Sequence, residues 1–214
     1  KIQYHPIKNI IIDKNIKLKK NWSKHHLIDQ SIRNSIANYI YDADDKDWIL
    51  ISDIDEIPNP NVFEDFDISK KFGFFEQELF YYKFNLKSFT DLAWYGSRIC
   101  VKKYLKSPQW LRNIKVKPNS GFFKKIFNNQ HILKDGGWHF TYLKNPSEII
   151  TKLKSFAHSE LVKEHMLNEN YIKKKIDNHE DIFGRKNILK KIEINNKLPE
   201  YLIKNIEKFK DFII

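Results

Sequence analysis

One cysteine, one methionine and six glycines in 214 residues are unusually few, and each scarcity removes a class of protein. A lone Cys100 can neither close an internal disulfide nor build a cysteine-based zinc site; it is expected to be a buried strand residue, and nothing in the chain points to an oxidising compartment. There is no glycine-rich phosphate loop, no Gly-x-Ser-x-Gly elbow and no Cys/His zinc spacing. Kinase, serine-hydrolase and zinc-finger readings therefore lose their main support. No apolar run approaches the roughly 20 residues needed to cross a bilayer. No secretory pattern opens the chain, so the expected location is cytoplasmic or peripherally membrane-associated. The first residue is Lys1 rather than Met, which suggests a fragment boundary.

What is present is enough for a real core. A hydrophobic content of 41% with 14% aromatics argues against disorder, and with no repeat, low-complexity tract or Gly/Ser linker, residues 1–214 read as a single domain. Thirty-eight Lys and Arg against 27 Asp and Glu give a net charge of +11. That balance invites a basic nucleic-acid-binding reading. The basic residues are spread along the chain with acidic ones between them, however, and Lys accompanies heavy use of Ile and Asn. A solvated surface that also favours phosphorylated ligands or anionic membranes fits this distribution better.

The pattern along the chain is mixed. Ile7 to Ile12 reads as a strand, and His26 to Tyr41 as an amphipathic helix carrying Ile28, Ile32, Ile36, Tyr39 and Ile40. With the apolar run Trp48 to Ile51 these form a βαβ unit. Phe72 to Tyr82 and Trp94 to Tyr104 read as strands in the middle of the sheet, and His131 to Tyr142 as a further strand in which Gly136 and Gly137 permit a bulge. Asn145-Pro146-Ser147-Glu148 is an N-cap signature opening a helix with Ile149, Leu153, Phe156 and Ala157 on one face. Helical or irregular sequence follows, with Pro199 opening another helix. The fold class expected is α/β, a mixed sheet flanked by helices with a helical C-terminal part.

The chemistry concentrates in Ser52-Asp53-Ile54-Asp55-Glu56-Ile57-Pro58, where the apolar run ends in three carboxylates. Four apolar residues in a row suit a buried parallel strand, and ligands gather outside the carboxyl ends of such strands. In extended backbone Asp53 and Asp55 point the same way. Two hard oxygen donors can hold Mg²⁺ or Mn²⁺, with substrate phosphates and water completing the shell. The same motif also occurs in solvated turns. His139, after Gly137 and Trp138, is a histidine that could complete such a site or simply be satisfied in the core. Ser155, His158 and Glu160 form a small polar cluster, and Glu180, Asp181 and Arg185 offer either a salt-bridged turn or a base with a phosphate clamp.

In this order the motifs resemble glycosyltransferase family 17, the group of the β-1,4-mannosyl-glycoprotein N-acetylglucosaminyltransferases. The resemblance runs through Gln30-x-x-Arg33-Asn34, Ile51 to Pro58, Phe80-Tyr81-Tyr82, Trp94 with Arg98, and Leu111-Arg112. It continues through Gly137-Trp138-His139-Phe140, Lys152-Leu153, Ser155-Phe156-Ala157-His158-x-Glu160, Asp181-x-Phe183-x-Arg185 and Leu198-Pro199. It implies a GT-A-like (Rossmann-like) fold, a UDP-sugar donor (typically UDP-N-acetylglucosamine), a divalent metal, a glycan acceptor and inversion at the anomeric carbon. On the matching positions Asp53 and Asp55 would be the Asp-x-Asp pair and His139 a third metal ligand. Arg33, Asp53, Arg98 and Arg185 would contact the donor, and Asp135, Glu160 or Asp181 would be the base. Family members carry an N-terminal segment, including a first strand, that this chain lacks, so a truncated domain is the expectation. An inactive sugar-binding relative is the rival reading within the same fold.

Overall fold

The computed structural model describes residues 24–91, 93–116, 129–155 and 161–214. The expected strand Ile7 to Ile12, and with it the first arm of the βαβ unit, lies outside them, as do Phe156, Ala157, His158 and Glu160.

Seven strands among the described residues form one mixed sheet. They are β1 (Trp48–Ile51), β2 (Glu56–Pro58), β3 (Phe72–Tyr81), β4 (Leu86–Ser88), β5 (Arg98–Val101), β6 (Gln130–Thr141) and β7 (Leu189–Lys191). The helices are α1 (Lys24–Ser35), α2 (Pro108–Asn113), α3 (Pro146–Lys154), α4 (Glu169–Asp177) and α5 (Glu200–Lys204). The sheet runs β1-β5-β3-β4-β7, with β6 beside β3 and β2 beside β6.

The long aromatic strand β3 is the spine. It pairs antiparallel with β5 and β4 and parallel with β6, and Phe74, Phe75 and Phe80 are fully buried. Burying one such ring stabilises the fold by about 1.5–3 kcal/mol. Helices α3 and α4 supply Ile149, Leu153 and Ile172 to a core with Leu79 and Ile182, while Ile36 and Ile40 beyond α1 pack on Ile49, Ile51, Cys100 and Leu111. Cys100 is fully buried in β5, as expected. Both halves of the α3 capping box form: Asn145 accepts from the Glu148 amide, and the Glu148 carboxylate accepts from the Asn145 amide.

Three expectations change. β1 is not a uniformly buried strand with a parallel neighbour among the described residues: it pairs antiparallel with β5, and Trp48 is 41% exposed against the edge of Phe66. The buried face of α1 carries His26, Gln30 and Ser31, whereas Ile32 and Tyr39 are half-exposed. Apolar periodicity finds the helix but not the side that faces inward when that side carries polar residues. The C-terminal part is not purely helical, because β7 adds to the sheet through β4.

The glycine pair does produce a bulge. Phe75 pairs with Leu133 and Gln77 with Gly137, so Lys134, Asp135 and Gly136 face the single residue Glu76. Asp135 takes φ of +50° there and Gly137 φ of +123°. A Cβ on Gly137 would lie 2.1 Å from the Ile57 carbonyl oxygen, so only glycine lets β2 approach β6. Past the bulge, His139 is in register with Glu56 on β2 and Leu79 on β3.

Candidate functional site

β1 stops at Ile51, and the next residues fold into a turn closed by the Glu56 amide donating to the Asp53 carbonyl at 3.0 Å. The Ser52 hydroxyl donates to the Glu56 carbonyl at 2.9 Å, and Ile54 at the apex is fully exposed. The backbone is therefore not extended across the motif, and Asp53 and Asp55 leave it toward different partners.

Asp53 lies between guanidinium groups. Arg33 Nη2 donates to both of its oxygens at 3.0 and 3.1 Å, and Arg112 Nη2 to Oδ2 at 2.8 Å. Beneath it Glu56 is nearly sealed, its side chain 1% exposed. Its carboxylate accepts from Arg112 Nη1 at 2.9 Å, Arg112 Nη2 at 3.0 Å, Trp94 Nε1 at 2.8 Å, the Ser97 hydroxyl at 3.3 Å and the Asp53 amide at 3.0 Å. Burial alone would raise the Glu56 carboxyl; the Arg112 bonds and charge outweigh it and hold the group below its ordinary value. Gly96 makes room for this knot, since a Cβ there would fall 1.8 Å from Glu56 Oε1.

Asp55 faces the other way. Its Oδ2 accepts from Lys152 Nζ of α3 at 3.0 Å, and its Oδ1 lies 3.6 Å from His139 Nε2, an electrostatic contact rather than a hydrogen bond. Burial pushes the Asp55 carboxyl up, but His139 and then Lys152 overcome it and keep it ionised well below the usual carboxylate range. The Trp94 ring, 4.6 Å from the His139 ring between centroids, packs on the imidazole. His139 Nδ1 is buried without a hydrogen-bond partner among the described residues.

Because both folded carboxyls are depressed, the unfolded chain takes up protons first as pH falls, and stability supplied above their ordinary values of 4.5 and 3.8 is lost below them. The urea midpoint should therefore hold near neutrality and drop as pH falls from about 4.5, with a shallower drop in Glu56→Gln.

Asp53, Asp55, Glu56, Trp94, His139 and Lys152 line one cleft of about 850 Å³, which also takes in Asp29, Asp91, Tyr81, Tyr142, Ser155 and Arg185. Of the residues singled out from sequence, it brings together Asp53, Asp55, His139 and Arg185. Arg33 reaches it through Asp53. Arg98 is turned inward, donating to the Leu111 and Ile114 carbonyls at 2.7 Å each and lying over the Phe74 ring; burial and then the Arg112 charge pull it down to about 10. Asp181 is buried under Arg185, whose Nη2 donates to it at 2.6 Å, and also accepts from the Phe183 amide at 2.8 Å, the arrangement of a clamped turn. Asp135 lines a neighbouring cavity with Asn59, Trp138 and Lys197, and Glu160 lies outside the described residues.

Sequence reasoning assigned no role to Arg112, Lys152, Trp94, Gly96 or Asp91. Arg112 and Lys152 stand within motifs that carry the family resemblance, and Glu56 within the acidic motif itself, so the signal was there without a partner to interpret it. Asp91 has no such signal; only the fold brings it to the cleft.

Among the described residues no helix is long and apolar enough to cross a membrane. No curated protein and no solved structure matches the chain. The model of glycosyltransferase family 17 matches residues 1–214. A match spanning every residue, over a sheet that gathers the acidic turn and a histidine at one cleft, places the chain in glycosyltransferase family 17, as an enzyme that passes a sugar from a donor to an acceptor.

Proposed function

We propose that the protein is a metal-dependent, inverting glycosyltransferase of GT-A-like architecture that moves a sugar, N-acetylglucosamine on the family resemblance, from a UDP-sugar to a glycan hydroxyl. The observation that carries this reading is the pairing of Asp55 with His139 in a cleft that also presents Lys152 and Arg185, with Arg33 and Arg112 behind Asp53. A nucleoside diphosphate needs cationic partners of this kind.

The donor chemistry fits a hard divalent cation at two positions, the Asp55 carboxylate and the His139 imidazole, which together suit Mn²⁺ or Mg²⁺ with phosphate and water in the remaining places. Asp53 joins that set only by giving up a guanidinium partner. Among the described residues no group of three His, Cys, Asp or Glu side chains is placed to hold a metal ion, so substrate phosphates and water would have to complete the shell. Bound there, the cation would stabilise charge on the departing diphosphate. Lys152 neutralises Asp55 until a ligand arrives, and Arg185, half-exposed on the same cleft, is positioned to contact phosphate.

Inversion requires a base on the acceptor side. Of the five carboxylates lining the cleft, Asp53, Asp55 and Glu56 are engaged by basic side chains and Asp29 has a partner of its own, whereas the exposed Asp91 carboxylate has no ion-pair partner among the described residues. Asp91 is thus our candidate to take the proton from the attacking hydroxyl. With UDP-GlcNAc, Mn²⁺ and a mixture of glycan acceptors, the wild-type protein should release UDP, and Asp91→Asn should lower turnover by about 10²–10⁴-fold with donor affinity unchanged. Donor binding without UDP release under every acceptor tried would instead favour an inactive sugar-binding relative; unchanged turnover in Asp91→Asn would remove Asp91 from the mechanism.

A further inference from the structure

A second cavity of about 520 Å³ adjoins the cleft, and its walls are almost wholly apolar: Ile54, Ile57, Phe84, Phe140, Leu202 and Phe209. Its size falls within the roughly 300–1,000 Å³ usual for small-ligand sites. Asp55, Tyr142 and Lys152 line both spaces, so it lies side by side with the cleft. Its rim is unusual for a surface turn. Ile54 is fully exposed at the tip of the acidic motif, Ile57 is 41% exposed, and Tyr201 on the facing helix α5 is 66% exposed. Solvated turns ordinarily carry polar residues, so large apolar groups on both lips of one groove mark a surface shaped for an apolar ligand.

The mouth is basic. Lys152 stands at the junction with the cleft, its charge balanced by Asp55, and the exposed Lys144 lines the groove beyond that pair, within a chain of net charge +11. An apolar floor with the Lys144 ammonium group at its edge, beyond the Asp55–Lys152 pair, is complementary to one kind of molecule: a hydrocarbon chain joined through an anionic phosphate to a polar head.

We infer that the groove holds the hydrocarbon portion of a phosphate-linked amphiphilic acceptor, whose saccharide head then lies in the cleft beside Asp55. The inference rests on the glycosyl-transfer reading for its biological sense, but the groove can be tested without turnover.

Calorimetry on the full chain with decyl phosphate below its micelle concentration, butyl phosphate and inorganic phosphate separates the contributions. Decyl phosphate should bind at least about tenfold tighter than butyl phosphate, given the additional methylenes buried. The double variant Ile54→Ser/Tyr201→Ser, whose sites are solvent-exposed and leave the core intact, should weaken decyl phosphate about tenfold while leaving UDP-sugar affinity unchanged. Lys144→Ala should weaken decyl phosphate but not decanol. Equal affinity for the decyl and butyl compounds, or decyl phosphate binding indifferent to the double variant, would overturn the proposal. Failure of UDP-sugar to bind the wild type, with the decyl phosphate results as expected, would count against the donor assignment and leave the groove standing.

Discussion

Arg112→Met should cost the fold about 3–5 kcal/mol, the penalty for leaving a buried carboxylate without its partner. Glu56 is sealed from solvent and Arg112 nearly so, at 1% and 11% side-chain exposure. Arg112 bonds Glu56, Asp53 and the Gly96 carbonyl, tying α2 to the acidic turn and the loop before β5. Removing the guanidinium leaves Glu56 with the Trp94 and Ser97 donors and the Asp53 amide, too little to keep a charge in place. Urea unfolding should show the loss as a lower midpoint, and Glu56→Gln combined with Arg112→Met should recover part of it because no charge is then stranded. An Arg112→Met midpoint equal to that of the wild type would mean that the knot does not hold the turn. Since the turn presents Asp55, any folded fraction of the variant should also bind donor poorly.

Asp55→Ala should abolish Mn²⁺-dependent binding of UDP-GlcNAc and reduce transfer by at least about 10²–10³-fold, the scale on which removal of one group stabilising the departing charge is felt. Its effect on stability should be far smaller than that of Arg112→Met, because Asp55 is partly exposed and its Lys152 partner can turn to solvent. The two substitutions thus separate the parts of the motif: Asp53 and Glu56 secure the turn, and on our proposal Asp55 with His139 would meet the ligand. Titration of UDP-GlcNAc with and without Mn²⁺ reads the difference, and equal metal-dependent binding by wild type and Asp55→Ala would sink the assignment of Asp55.

The elements were legible where chain-local chemistry decides them. The capping box at Asn145, the aromatic spine at Phe72 to Tyr81 and the bulge at Gly136 and Gly137 all form as local rules require. The orientation of the acidic motif was not legible in this way. The rule that residues i and i+2 share a side holds for extended backbone, and the turn closed between Glu56 and Asp53 removes its premise. Likewise Arg98, a donor contact by resemblance, is spent on the last carbonyls of α2 and Ile114, partners that come near only once β5 and α2 have packed.

By itself the sequence determined the class of fold, the family and the residue types on which the chemistry would draw, because hydrophobic period, caps and short motifs are written within a few neighbouring positions. Only the tertiary structure decided how the carboxylates divide their labour. That division depends on which charges are brought within about 4 Å in a poorly solvated place, where Coulomb energy and desolvation are both large. Arg33, Arg112 and Lys152 come from three helical segments remote from the motif, and their arrival ties Asp53 and Glu56 to arginines and pairs Asp55 with Lys152 beside His139.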